Sequence, residues 1–138
     1  MHKGLMMIGS LLGAFAVALG AFGAHALKQK LPIEDLAIYQ TGVQYHFYHV
    51  GAIFIAAFLW GKFHRPAVLW TGRLFFAGIL LFSGSLYTMI YIKAFGGAEA
   101  RWLGAITPIG GVCFIVGWLL LGWVVNKGKT QKNILEGQ

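Results

Sequence analysis

Long apolar runs separated by short polar interruptions dominate this chain. Four runs, at about residues 5–27, 41–60, 67–92 and 102–125, each match the roughly 20 apolar residues that a helix needs to cross hydrocarbon. Water cannot reach the membrane interior to satisfy exposed N–H and C=O groups, so each run is expected to be helical. The pattern predicts an all-α, integral membrane four-helix bundle over residues 1–126, followed by a polar cytoplasmic tail at 127–138 that frays. Between the first two runs, Pro32 is followed by Ile33-Glu34-Asp35-Leu36, which suits a short interfacial helix between spans 1 and 2. Residues 61–66 read as a tight basic turn, and residues 93–101, with Gly96-Gly97, as a flexible loop.

Composition removes the soluble alternative. Hydrophobic residues make up 58% and charged residues 11%, against about 25% charged in soluble domains. The net charge of +7 comes from 11 Lys plus Arg against 4 Asp plus Glu. No basic stripe or zinc-finger spacing accompanies it, so no nucleic acid is expected, and the basic residues are assigned to the lipid bilayer and its headgroups. An even number of spans puts both ends on one side. That side collects Lys3, Lys62, Arg65, Lys127, Lys129 and Lys132, with Arg73 at a span end. The other has Lys28, Lys30, Lys93 and Arg101, diluted by Glu34, Asp35 and Glu99. Both termini are therefore expected to be cytoplasmic. Trp60, Trp70 and Trp123 fall at the inner boundary, and Tyr39, Tyr45, Tyr91 and Trp102 near the outer one. The first run has a basic start and an Ala24-His25-Ala26 like a cleavage site, but it exceeds the roughly 7–15 residues of a signal core. It is expected to remain as a span.

Helices in lipid associate through close backbone approach. In span 1, Gly9, Gly13, Ala16, Gly20 and Gly23 form one stripe, while Ser10, Ala14, Ala18 and Ala21 form a second that also carries His25. Two small-residue faces predict a helix packed on both sides, at the bundle centre. Span 3 offers Arg73, Ala77, Gly84, Tyr87 and Tyr91, with Arg73 as a snorkelling headgroup anchor. In span 4, Thr107-Pro108 reads as an N-cap with first-turn proline or as a kink, and Gly110, Gly111 and Gly117 allow close contact.

Intramembrane polarity gathers at one predicted level. His25 ends span 1; Gln44, His46 and His49 open span 2; Ser83, Ser85 and Tyr87 lie in span 3 and Thr107 begins span 4. Antiparallel neighbours place all of these in the outer half. His46 and His49 share a face with Gly42, Ile53 and Ala56, whereas Gln44 points elsewhere. Imidazoles suit zinc, copper or haem iron, and His25 would complete a three-histidine metal set. No carboxylate or thiolate accompanies them, so the plainer reading is hydrogen-bonded histidines that stabilise the bundle; a bound metal, haem or quinone is the sharper one, and a proton or ion relay the third. Cys113 is the single cysteine, expected to be a buried, inert thiol. No acid inside a span, nucleophile elbow or phosphate loop appears, so an enzyme is not expected.

Four segments carry a resemblance: Gly20-Ala21-Phe22-Gly23-Ala24-His25-Ala26-Leu27, Thr41-Gly42-Val43-Gln44-Tyr45-His46-Phe47-Tyr48-His49, Gly84-Ser85-Leu86-Tyr87 and Ile106-Thr107-Pro108-Ile109-Gly110-Gly111. In this order they resemble the small inner-membrane family called domain of unknown function 423. The resemblance covers all four spans and implies a multi-pass protein of the bacterial inner membrane, without implying a reaction. With few loops and no catalytic groups, the favoured function is an accessory or assembly subunit of a membrane complex, with a membrane-protein partner or a homo-oligomer. The alternative is a metal-, haem- or quinone-binding protein using the histidine cluster, and a small transporter comes third.

Overall fold

The computed structural model of the protein describes residues 1–96, 100 and 102–136, with side chains through residue 127. Gly97, Glu99 and Arg101 of the expected outer loop, and the side chains of Lys129 and Lys132, lie outside the described residues. Among the described residues four helices are long and apolar enough to cross a membrane: span 1 at Lys3–Leu27, span 2 at Ile33–Phe63, span 3 at Pro66–Phe95 and span 4 at Leu103–Lys127. No strand occurs among the described residues.

The main departure from the sequence reading is where span 2 begins. The segment expected to be a separate interfacial helix is the first turns of one continuous 31-residue helix. Pro32 is extended (φ −62°, ψ 160°) and its carbonyl accepts Leu36 N–H at 3.1 Å. Glu34 and Asp35 occupy the first turn, where acids complement the helix dipole. Nothing after Pro32 breaks the helix. It ends at His64, held in the left-handed conformation (φ 46°, ψ 34°), whose N–H reaches Trp60 O at 3.0 Å. Arg65 is extended and Pro66 starts span 3, because a proline at the first position forfeits no intrahelical bond.

Among the described residues, π-helical turns end span 1 at Gly23–Leu27, interrupt span 3 at Ile79–Ser83 and close it at Ile92–Gly96. Each inserts a residue and rotates the side chains beyond it about the helix axis. The stripe expected in span 3 is not its packing face, because Arg73 and Ala77 already lie opposite the Val68, Thr71, Gly72 and Phe75 face before the π turn begins. The buried residues are Val68, Thr71, Gly72, Phe75, Gly78, Ile79, Ser83, Ser85, Leu86 and Ile90, whereas Arg73 and Tyr91 are exposed. Span 4 begins upstream of Thr107, so Pro108 lies inside the helix and not at its first turn, and the helix continues through the expected tail to Glu136.

Span 1 lies along span 2, span 2 along span 3, and span 3 along span 4. Span 2 is the most enclosed and span 1 the least. The expectation that span 1 is the centre is therefore corrected. Its first stripe does pack on span 2, with Gly9 against Phe54, Gly13 against Val50, Gly20 against Val43 and Gly23 against Tyr39. Its second stripe, Ser10, Ala14, Ala18, Ala21 and His25, is exposed along its whole length. At the end carrying the N-terminus, His2 N–H bonds Ala57 O at 2.9 Å, above a core of Leu5, Val50, Ile53, Ala56, Val68, Phe75, Phe114, Leu121 and Val124 from all four spans. A second core of Leu27, Tyr39 and Ile90 closes the other end.

Candidate functional site

Because span 2 starts at Ile33, its midpoint is residue 48, and His46 and His49 lie two and one residues from it. At 1.5 Å per residue they sit within about 3 Å of the helix centre. Within the helix as formed, the two therefore lie near its middle and not at its start. Both are nearly fully buried, with relative exposures of 3% and 4%.

The two histidines do not form one site. Three residues along a helix rotate the side chain by about 60°, enough to send them to opposite flanks of span 3. His49 goes to the side of span 4, where its ring stacks on Phe114 with centroids 3.4 Å apart and planes 8° from parallel. Its Nδ1 lies 2.7 Å from Tyr45 O. A carbonyl only accepts, so Nδ1 carries the proton, and Nε2 is left to accept the Trp118 indole N–H at 3.2 Å. Both nitrogens are spent. A metal would have to displace the tryptophan from the only free lone pair.

His46 turns the other way. Its Nδ1 is 3.2 Å from the Tyr87 hydroxyl, and Tyr87 in turn packs on Tyr39 with ring centroids 5.1 Å apart. Tyr39, expected at the outer interface, is instead 2% exposed and donates to Leu19 O at 2.8 Å. His46 Nε2 lies in the seam toward the Leu12 backbone of span 1 but closes no hydrogen bond in standard geometry. Ser83, fully buried on span 3 one turn before Tyr87, also has an unbonded hydroxyl.

The remaining members of the expected cluster scatter. His25 is exposed on the π turn that ends span 1. Among the described residues no three His, Cys, Asp or Glu side chains are placed to hold a metal, so the set His25, His46 and His49 is not assembled. Thr107 and Ser85 do meet, joining spans 3 and 4 at 2.8 Å. Gln44 faces outward into a groove of about 410 Å³ between spans 1 and 2, lined also by Gly20, Gly23, Ala24, Tyr39 and Gln40. Arg73 is exposed with its guanidinium 5.0 Å from the Trp70 ring centre, a cation–π contact. Cys113 is half-buried.

Asp35 is the functional-type residue that the sequence reading missed. It is 6% exposed, and Lys93 Nζ lies 2.7 and 2.8 Å from its two oxygens, pinning the start of span 2 to the end of span 3. A signal for it existed. Asp35, Tyr39, Gly42, His46, His49, Ile53 and Ala56 alternate in steps of four and three, and all seven are buried. Tracing that seam back past Gly42 would have extended the helix and buried the acid.

Residues 19–111 match the family model described as Protein of unknown function (DUF423). The chain is 45% identical over 120 residues to UPF0382 membrane protein YwdK of Bacillus subtilis, covering 86% of this chain and 93% of the relative. It is 42% identical over 119 residues to UPF0382 membrane protein SSP2132 of Staphylococcus saprophyticus, with coverage of 86% and 93%. To UPF0382 membrane protein SAB0533 of Staphylococcus aureus it is 40% identical over 119 residues, covering 86% and 92%. No solved structure matches. All four resemblance segments seen in the sequence fall inside the matched residues, and the chain belongs to the DUF423 family of bacterial membrane proteins.

Proposed function

We propose that the protein is a non-catalytic, accessory or assembly subunit of a complex in the bacterial inner membrane, and that it works through the flank of span 1. The observation that carries this reading is the uncovered second stripe of Ser10, Ala14, Ala18 and Ala21, all exposed on the least enclosed helix. In lipid, small side chains mark where another helix approaches, since lipid-facing positions gain nothing from being small. On the adjoining flank span 1 shows lipid the bulky Leu11 and Phe15.

The histidines support a structural role beside it. His49 is fully satisfied by Tyr45 and Trp118, which favours a packed core over a metal or haem centre. The excess of Lys3, Lys62, Arg65 and Lys127 on one side, against Lys28, Lys30 and Lys93 with Glu34 and Asp35 on the other, supports cytoplasmic termini.

Crosslinking in native membranes, followed by gentle solubilisation and mass spectrometry, tests the reading. A membrane partner should be recovered with the wild type and lost with Ala14→Phe plus Ala18→Phe, which place bulk on exposed positions without touching the core. Recovery of the wild type without any partner would sink it. A C-terminal reporter active only in the cytoplasm checks the orientation.

A further inference from the structure

Gln40 and Gln44 stand one turn apart on the outward flank of span 2, both exposed, beside the floor made by Gly20, Gly23 and Ala24 of span 1. From the midpoint of span 2, Gln44 is four residues and Gln40 eight residues away, or about 6 and 12 Å along the helix. With the helix centred in the bilayer, both positions fall within the roughly 15 Å half-thickness of the hydrocarbon. Neither carboxamide bonds any other group among the described residues. Thr41, between them, spends its hydroxyl on Ala37 O at 3.0 Å. Two unsatisfied amides facing lipid are costly, and a polar group at this depth demands a partner.

We propose that the partner is a second copy of this chain, seated on the groove between spans 1 and 2 about a two-fold axis along the membrane normal. The groove adjoins the exposed stripe of Ser10, Ala14, Ala18 and Ala21 without including it, so the proposal extends the contact surface of the proposed function and names the occupant of the groove. Two observations select a like copy. A carboxamide carries a donor and an acceptor, so an identical carboxamide satisfies both through a pair of bonds. Under a two-fold axis along the normal, each residue meets its equivalent at the same depth, so Gln44 finds Gln44 and Gln40 finds Gln40. Ala24, exposed beside half-buried Gly20, admits the close approach that such short side chains require.

The test uses the full-length chain with Cys113→Ala, reconstituted in lipid vesicles over a range of dilutions. Single cysteines at Ala37→Cys and Thr41→Cys should crosslink between copies on mild oxidation. Leu119→Cys, on the exposed outer side of span 4, should not. Without added cysteines, fluorescence transfer between labelled copies should show Gln40→Leu plus Gln44→Leu weakening dimerisation roughly 10- to 50-fold, on the scale of a few intramembrane hydrogen bonds. Leucine is at home in lipid, so an unchanged thermal unfolding profile of the double variant separates lost association from lost folding. The proposal is overturned if the protein is monomeric at every dilution, if Leu119→Cys crosslinks as readily, or if the double leucine variant dimerises as well as the wild type. A different partner recovered from native membranes alongside any of these results would leave the accessory-subunit reading standing and remove only the second copy.

Discussion

Two adjacent glycines of span 4 should respond to the same substitution in opposite ways. A methyl group on Gly110 would collide with the backbone N and Cα and the Cβ of Phe82 on span 3. Backbone cannot rotate aside, so Gly110→Ala must push spans 3 and 4 apart. The displacement also strains the Ser85–Thr107 bond at 2.8 Å, less than one turn away. On Gly111 the same methyl meets only Phe82 Cδ2 at 3.9 Å, an ordinary contact, and on Gly122 it meets nothing within 4 Å. Overpacking costs about 1–3 kcal/mol, and strain in one interhelical hydrogen bond adds up to about 0.6 kcal/mol. Alanine's advantage over glycine in a helix, up to about 1 kcal/mol, acts at all three positions and cancels in the comparison. Gly110→Ala should thus be less stable than Gly111→Ala by about 1–3 kcal/mol, a factor of roughly 5 to 150 in the unfolding equilibrium. Titrating the detergent-solubilised protein with a denaturing detergent, with tryptophan emission as the signal, gives the three midpoints. A Gly110→Ala variant as stable as Gly111→Ala would refute the helix contact.

The same geometry sets further expectations. Removing His49 loses its bonds to Tyr45 and Trp118 and its stack on Phe114, so His49→Ala should destabilise by about 2–4 kcal/mol, while metal analysis and the absorption spectrum stay those of the wild type; a metal or chromophore that vanishes with the variant would contradict the structural role. Asp35→Asn should loosen the start of span 2, and because Lys93 is 42% exposed, a double-mutant cycle with Lys93→Met should give a coupling of only about 1 kcal/mol. A coupling near zero would remove the pair as a clamp. Gly23→Ala would bring its methyl within 2.6 Å of Tyr39 Cε1, so it should cost about 1–3 kcal/mol, whereas Gly104→Ala, whose methyl meets no atom of the described residues within 4 Å, should be neutral or stabilising in the same unfolding assay.

The sequence by itself determined the solvent and the number of spans, because hydrocarbon tolerates only self-bonded backbone and sets a minimum length that four runs meet. It also determined one packing face: Gly9, Gly13, Ala16, Gly20 and Gly23 sit against span 2 because only small residues allow that approach. Which of span 1's two small faces would be covered was beyond it, since both satisfy the same local rule and the choice depends on where spans 2 and 3 lie. Tertiary structure decided which partners the site residues meet. Continuity of the helix from Ile33 put His46 and His49 near its middle, a turn of about 60° between them separated their partners, and span 3 turned Val68, Thr71, Gly72 and Phe75 to the bundle in place of Arg73. Asp35 looks like a surface charge in the sequence because its neutralising lysine lies 58 residues away. Periodicity reports which way a side chain points from its own helix, and only the assembled neighbours decide whether that direction meets lipid, an indole N–H or an ammonium group.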